Sequence, residues 1–276
     1  MTFPLRLDRA ATSPVSAAAL FATVALAPAA GEARDVPYVP TPEAAVQKML
    51  EMVDAKPDDV LYDLGSGDGR IVIAAIRDFG VKQATGIDID PQRIEESQAN
   101  AQAAGVGDRA TFRQADLFEA DFSDADVVTM YLLSSVNRRL RPRLLDELKP
   151  GTRLVSHQFT MDDWKPDAEA VVSGRPLYHW VIPAKVGGTW RAEGGFQADL
   201  DQRFQEVSGT VTAFGREAAI EQGKLQGEKL AFTARGNRDG QPVDLRFKGR
   251  VSEDGVIEGR LEGADGAKEV RATRVN

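Results

Sequence analysis

The 276-residue chain predicts two modules in series, an open α/β sheet with helices on both faces and then a small all-β antiparallel barrel or sandwich. Three observations carry this. The run Val60-Leu61-Tyr62-Asp63-Leu64-Gly65-Ser66-Gly67-Asp68-Gly69-Arg70-Ile71-Val72-Ile73 is a short apolar strand, a glycine turn and a helix start. About one βα unit later, Gly86-Ile87-Asp88-Ile89-Asp90 closes a second short strand on a carboxylate. After about Gly187 the texture changes to short alternating stretches parted by Gly, Asn and Asp.

In chain order, a first helix is expected over 43–55, where Val46, Met49, Leu50 and Val53 recur at helical spacing. Thr41 reads as its N-cap, with Pro42 at the first helical position. Further helices are expected over 69–79, closed by Gly80, over 91–104, started by Pro91, and over 135–148, interrupted or restarted at Pro142. Strands are expected over 60–64, 83–87, 110–114, 127–130 and 153–156. In the second module, Phe196 to Leu200, Val207 to Thr212, Lys229 to Ala234, Val243 to Phe247 and Val256 to Leu261 alternate like strands of a meander. Asp239-Gly240, Asp254-Gly255 and Asp265-Gly266 are hairpin-turn signals between them. No strict repeat period is found.

The glycine turn indicates what the first module binds. Gly65, Gly67 and Gly69 let main chain turn tightly and lie directly against a ligand. A pyrophosphate cofactor is usually met by G-x-G-x-x-G, whereas the spacing here is G-x-G-x-G. Asp63 and Asp68 flank the loop, and two carboxylates repel a pyrophosphate but attract an ammonium or sulfonium group. Asp88, at the end of the second strand, suits two ribose hydroxyls. A cationic nucleoside fits these requirements, and S-adenosyl-L-methionine is one.

With these motifs in place, the chain resembles the class I S-adenosylmethionine-dependent methyltransferases over roughly residues 36 to 183. Gln114-Ala115-Asp116-Leu117 matches the family's third acidic site and Glu147-Leu148-Lys149-Pro150-Gly151 the turn before its fifth strand. Val36-Pro37-Tyr38-Val39-Pro40-Thr41-Pro42 and the wording Asp-Leu-Gly-Ser-Gly-Asp-Gly-Arg-Ile-Val are most similar to the FAM173-like protein-lysine methyltransferases and their bacterial relatives. The resemblance implies a Rossmann-like seven-stranded sheet, its last two strands an edge hairpin near 168–173 and 177–182. It implies an enzyme that transfers methyl to a protein lysine. It assigns Asp63 and the backbone of Gly65, Ser66 and Gly67 to the methionine end, Asp88 to the ribose, and Asp116 with Leu117 to the adenine. Tyr38 and Thr41 are expected to close over the cofactor.

Methyl transfer from a sulfonium is an in-line displacement, so the protein mainly aligns a neutral nucleophile and excludes water. A lysine must first lose its proton, which an apolar or aromatic channel favours. Many amino-methylating relatives carry Asn/Asp-Pro-Pro-aromatic at the end of the fourth strand; this chain has Met130-Tyr131-Leu132-Leu133. Tyr131 is the candidate catalytic residue, lining the channel, with a core aromatic as the alternative. Trp164 reads as a wall of the acceptor site or as a lid over the core. His157 and His179, the only histidines, sit in alternating runs and read as satisfied strand residues without metal-site companions, so no metal is expected.

The remaining features bound the setting. With 42% hydrophobic residues the chain can bury a full core, and it is too long for one minimal methyltransferase domain. The expected divisions are 1–33, an export-signal-like segment, 36–186, the cofactor-binding domain, and 188–276, a β-rich domain of illegible role. The net charge of -8 argues against a nucleic-acid partner and suits a basic, lysine-bearing protein, with a small-molecule acceptor as the alternative. Arg6 and Arg9 before the alanine-rich stretch Val15 to Ala30 read as an export signal, which predicts a periplasmic protein, or a cytoplasmic one if the segment does not function. That stretch is too short and too weakly apolar for a stable membrane span. The chain has no cysteine, so disulfides and thiol catalysis are excluded. Export and a cytosolic cofactor are in tension, which leaves open an exported binding protein with a non-catalytic methyltransferase fold.

Overall fold

The first sheet has seven strands in the order β3-β2-β1-β4-β5-β7-β6. They are β1 (Val60–Leu64), β2 (Gln83–Asp88), β3 (Ala110–Gln114), β4 (Val127–Met130), β5 (Arg153–His157), β6 (Ala168–Val172) and β7 (Arg175–Val181). The first five pair in parallel, and β7 runs antiparallel to both β5 and β6. β4 is buried throughout, as a central parallel strand covered on both faces must be. This computed structural model describes residues 1–2, 39–238, 241–264 and 266–275, so the export-like segment, apart from its first two residues, and Tyr38 lie outside the described residues.

Helices cover both faces. α1 (Glu43–Met52), α2 (Arg70–Asp78) and α3 (Pro91–Ala103) enclose one core with Leu61, Val127, Val155 and Leu177. On the other face α4 (Ser134–Glu147) packs Val136, Leu140 and Leu144 among Leu64, Met130, Leu154 and Trp180. β1 lies between β2 on one side and β4 on the other, so strand order reverses at β1/β4 and the crevice opens at the strands' carboxyl ends.

Two local expectations are corrected. Pro42, not Thr41, caps α1: its carbonyl accepts from Ala45 N (2.9 Å) and Val46 N (3.0 Å), and no side-chain cap bond forms. Pro142 lies inside α4 without interrupting it. A proline removes one ladder donor, and here apolar residues at 136, 140 and 144 bind the helix to the sheet on both sides of that gap.

The second module is a closed barrel of eight antiparallel strands: β8 (Gly188–Ala192), β9 (Phe196–Arg203), β10 (Glu206–Ala213), β11 (Arg216–Gln226), β12 (Lys229–Arg238), β13 (Gln241–Val251), β14 (Val256–Gly263) and β15 (Gly266–Arg274). Closure is made by β15 against β8, which leaves no free sheet edge. Phe232 and Phe247 stack inside it with centroids 4.9 Å apart. The Phe247 ring lies across Gly249 and Gly259, where an added Cβ would come within 2.7 Å of its Cζ. β8, β11 and β15 were not anticipated. In β11 the pairing shifts between Ile220 and Gln222, and that irregularity hides the alternation. Asp254-Gly255 does turn between β13 and β14, with Gly255 N donating to Ser252 O (3.0 Å); positions 239, 240 and 265 lie outside the described residues.

Sheet and barrel belong to one compact unit, residues 34–276. Trp164 is fully buried where they meet, its Nε1 donating to Gln205 Oε1 (2.9 Å) and its ring stacking on Phe204 at 5.7 Å. Ala184 N donates to Gly227 O (2.9 Å), and Lys185 pairs with Asp146 (2.7 Å). Trp164 is therefore a lid over the core at this junction and not a wall of an acceptor site.

Candidate active site

From Leu64 the chain turns through Gly65-Ser66-Gly67-Asp68-Gly69 into α2. Gly65 has φ +79°, and a Cβ there would meet Leu132 Cδ2 at 2.7 Å, so only glycine lets the loop close on the end of β4. Gly65 N and Ser66 N donate to Ile87 O at 2.8 and 3.0 Å. Gly67 N donates to Asp88 Oδ2 and Asp90 N to Asp88 Oδ1, both at 2.9 Å. The half-buried Asp88 carboxylate is thus aimed by backbone alone, which is the preorganisation a diol-binding carboxylate needs.

Asp63 is 2% exposed and accepts from Thr129 Oγ1 at 2.7 Å. Burial pushes its carboxyl up to about 7; the Thr129 hydroxyl opposes that rise, while Asp88 and Asp68 add to it. A buried carboxylate beside two others favours a cationic ligand. Asp68 is not free to share this role: Arg70 Nε binds it at 2.9 Å and Arg70 Nη2 at 2.5 Å, and Arg70 Nη1 donates to Thr41 O at 2.9 Å. Arg70 thus holds Asp68 in a bidentate pair, although the Asp68 charge is still felt at Asp63. Ser66 Oγ is buried with no partner, and its side chain packs against Gly86, where an added Cβ would meet Oγ at 2.6 Å.

Next along the carboxyl edge, Ala115 N donates to Asp88 O (3.0 Å), which brings Asp116 and Leu117 beside the ribose-type carboxylate. Asp116 is exposed and Leu117 half-buried. Asp63, the glycine loop, Asp88, Asp116 and Leu117 therefore converge on one edge of the sheet. Tyr38 lies outside the described residues.

The adjoining part of the edge is aromatic. Thr41 is buried, and its Oγ1 lies 3.3 Å from His157 Nδ1. The Tyr131 ring is 4.1 Å from the His157 ring and 6.0 Å from Phe159. Tyr131 Oη donates to Gln158 Oε1 (3.0 Å) and accepts from Arg175 Nη1 (3.1 Å). Burial, with the Arg175 cation in support, pushes the His157 imidazole down to about 4, so it is neutral at ordinary pH. His157 does lie in a strand, but it is not satisfied there: Nε2 is buried without a partner, as is that of His179. Thr129, Gln158 and Arg175 were not found from sequence. Each earns its place by contact with a residue on another strand, and no local motif signals that.

Known proteins share this arrangement. Residues 63–168 match the family described as the ANTKMT methyltransferase domain. A protein-lysine N-methyltransferase of Saccharolobus islandicus is 49% identical over 152 residues, 55% of this chain and 94% of that protein. The adenine nucleotide translocase lysine N-methyltransferase of Mus musculus is 34% identical over 133 residues, and this chain spans only 57% of its length. Among solved structures, an RNA methyltransferase from Salinibacter ruber in complex with S-adenosyl-L-homocysteine is 53% identical with a TM-score of 0.52, covering 54% of this chain and 96% of that one. The anionic cradle and its backbone-aimed carboxylate fit S-adenosyl-L-methionine, which these relatives indicate as the cofactor. The chain belongs to the class I S-adenosylmethionine-dependent methyltransferases.

Proposed function

We propose that the protein is a protein-lysine N-methyltransferase. The observation that carries this reading is the adjacency of an anionic cradle at β1 and β2 to an aromatic cluster, free of carboxylates, at the ends of β4 and β5. The lysine methyltransferase named for Saccharolobus islandicus supports it.

Asp63 and the Gly65-Ser66-Gly67 backbone would hold the methionine end, Asp88 the ribose, and Asp116 with Leu117 the adenine, with Thr41, and by the family resemblance Tyr38, assigned to cover the cofactor. Bound there, S-adenosyl-L-methionine supplies a methyl group made electrophilic by its sulfonium and leaves as the neutral thioether. Tyr131, His157 and Phe159 wall the approach and exclude water. This lining disfavours an ammonium, so the incoming lysine gives up its proton before its lone pair attacks. The nearby Arg175 cation acts in the same direction. The product amine loses its surplus proton to water.

Charge favours a basic acceptor. Residues 1–187 carry 27 Asp and Glu against 20 Lys and Arg, which repels a phosphate backbone. RNA is nevertheless the second reading, because the Salinibacter ruber protein bears an RNA methyltransferase's name. Radiolabelled methyl transfer into cell extract, followed by protease, RNase and small-molecule extraction, decides between them. Protease-sensitive label on lysine is expected. Label confined to RNase-sensitive material or to the small-molecule fraction would overturn the lysine assignment.

We also infer that residues 1–33 direct export, on the strength of Arg6, Arg9 and the alanine-rich stretch after them. Among the described residues no helix is long and apolar enough to cross a membrane. Cell fractionation tests the reading: an intact N-terminus recovered from the cytosol would refute it.

A further inference from the structure

The strand end that often carries Asn/Asp-Pro-Pro-aromatic reads Met130-Tyr131-Leu132-Leu133, so it offers the acceptor amine no side-chain amide or carboxylate oxygen, and such an oxygen has to come from another element. We propose that Gln158 Oε1 is that oxygen, held in place by Tyr131 and Arg175. The inference rests on the lysine reading above.

Four observations converge on Gln158. It is the first residue past β5 and has φ +69°, a left-handed conformation that a residue with a Cβ rarely adopts. The turn is held on every side: Gln158 N donates to Pro176 O (2.7 Å), Phe159 N to His157 O (2.9 Å), and Ser156 Oγ to Phe159 O (2.7 Å). The Gln158 side chain reaches the end of β4, where Tyr131 Oη donates to Oε1 at 3.0 Å. Arg175 Nη1, the first residue after the Ser173-Gly174 hairpin turn, reaches the same oxygen only at 3.5 Å while donating to Tyr131 Oη at 3.1 Å.

These contacts fix the amide's orientation and leave it spare capacity. A guanidinium can only donate, so it occupies the Tyr131 oxygen, the phenol proton turns to Gln158, and the amide must present its oxygen to both. A carbonyl oxygen has two lone pairs. Tyr131 fills one; the other is served only by the long Arg175 contact and is open to an amine N–H. In the transfer the nitrogen lone pair forms the N–C bond, the C–S bond breaks with its electron pair left on sulfur, and the excess proton departs to water. Gln158 never takes the proton. It orients the lone pair by holding one N–H, and the charged and titratable groups around it are Arg175 on β7, Tyr131 after β4 and the neutral His157 on β5.

A hydrogen-bond acceptor leaves a fingerprint that a packing residue does not. As neutral amines, unmodified lysine has two N–H groups, monomethyl-lysine one and dimethyl-lysine none. With the full chain and peptides of one sequence carrying each form, Gln158→Leu should lower kcat by roughly tenfold or more on the first two and less than about threefold on the third. Gln158→Glu, which keeps an acceptor oxygen, should recover most of the loss. Calorimetry should find S-adenosylmethionine affinity within about twofold of wild type. Fluorescence anisotropy with S-adenosylhomocysteine present should show weaker binding of the unmodified peptide and little change for the dimethylated one. If Gln158→Leu does not fold, Arg175→Met should give the same graded pattern with smaller losses. Equal losses on all three peptides, or none, would overturn the role of Gln158 and leave the lysine reading intact. A wild-type chain inactive on every peptide would overturn the lysine reading and this inference with it.

Discussion

The carboxyl edge of the sheet and the interior of the barrel follow opposite rules. In the barrel, Trp190, Phe232, Phe247, Leu261 and Val270 point inward, strand closure satisfies the backbone, and among the described residues no buried side-chain oxygen or nitrogen lacks a partner. At the sheet edge, Asp63 is buried with a single side-chain donor, and Ser66 Oγ and His157 Nε2 have none. Polar groups left short of partners destabilise a fold unless something outside the chain meets them. Among the described residues the barrel meets its buried polar side chains within the chain, and the sheet edge leaves some unmet where a ligand can reach them.

This contrast can be tested by substitution, beginning with the largest effect. Phe247→Ala opens a cavity beside Phe232 and over the Gly249–Gly259 pair, and should cost about 3–5 kcal/mol in urea denaturation. Cofactor affinity measured below the transition should not change. Asp88→Ala should do the reverse, removing about 2 kcal/mol or more of S-adenosylmethionine binding by calorimetry with a far smaller effect on unfolding. A variant in either region that moved both readouts together would break the division.

Acidity sharpens it. Folded Asp63 keeps its proton up to about 7, against an ordinary value of 3.8, so its contribution to stability is lost as pH rises across that window. His157 works in the opposite sense: it accepts a proton at 6.5 when unfolded and only near 4 when folded, so stability is lost as pH falls from 6.5 toward 4. The two slopes oppose each other between about 4 and 6.5. Asp63→Asn should uncover a stability that rises with pH there, and His157→Leu one that falls, both read by denaturation midpoints. Since a cation at Asp63 favours its ionised form, wild-type S-adenosylmethionine affinity should rise by at most about tenfold per unit as pH climbs to 7, and Asp63→Asn should flatten that rise. The smallest effect belongs to Thr129→Val, about 1 kcal/mol of stability and a few-fold weaker binding, from one lost hydrogen bond to Asp63.

What could be read from sequence follows the range of the interactions. The strand, turn and helix around Gly65 are local, and so is Asp88 at the end of β2, which spacing located; Asp116, two residues past β3, was reached only through the family resemblance. The pairs Thr129–Asp63 and Thr41–His157 lie 66 and 116 residues apart, and Gln158 meets Tyr131 across 27. No periodicity connects such residues, so the cradle was legible while the partners of Tyr131 at the neighbouring strand ends were not. Thr41 shows the cost: local pattern assigned its hydroxyl to the helix start, while the fold turned it toward His157. In the barrel, regular alternation revealed five strands, and the shifted pairing in β11 concealed a sixth.

The joint at Trp164 has a practical consequence. Its indole proton is received by Gln205 and its face by Phe204, both from the barrel. A truncated protein ending near Ile182 would leave that indole with no acceptor and lay bare a tryptophan pair, Trp164 and Trp180, whose rings are 5.9 Å apart. Excising the sheet half for assay therefore uncovers a face that the barrel plugs, and the full chain is the sounder starting material.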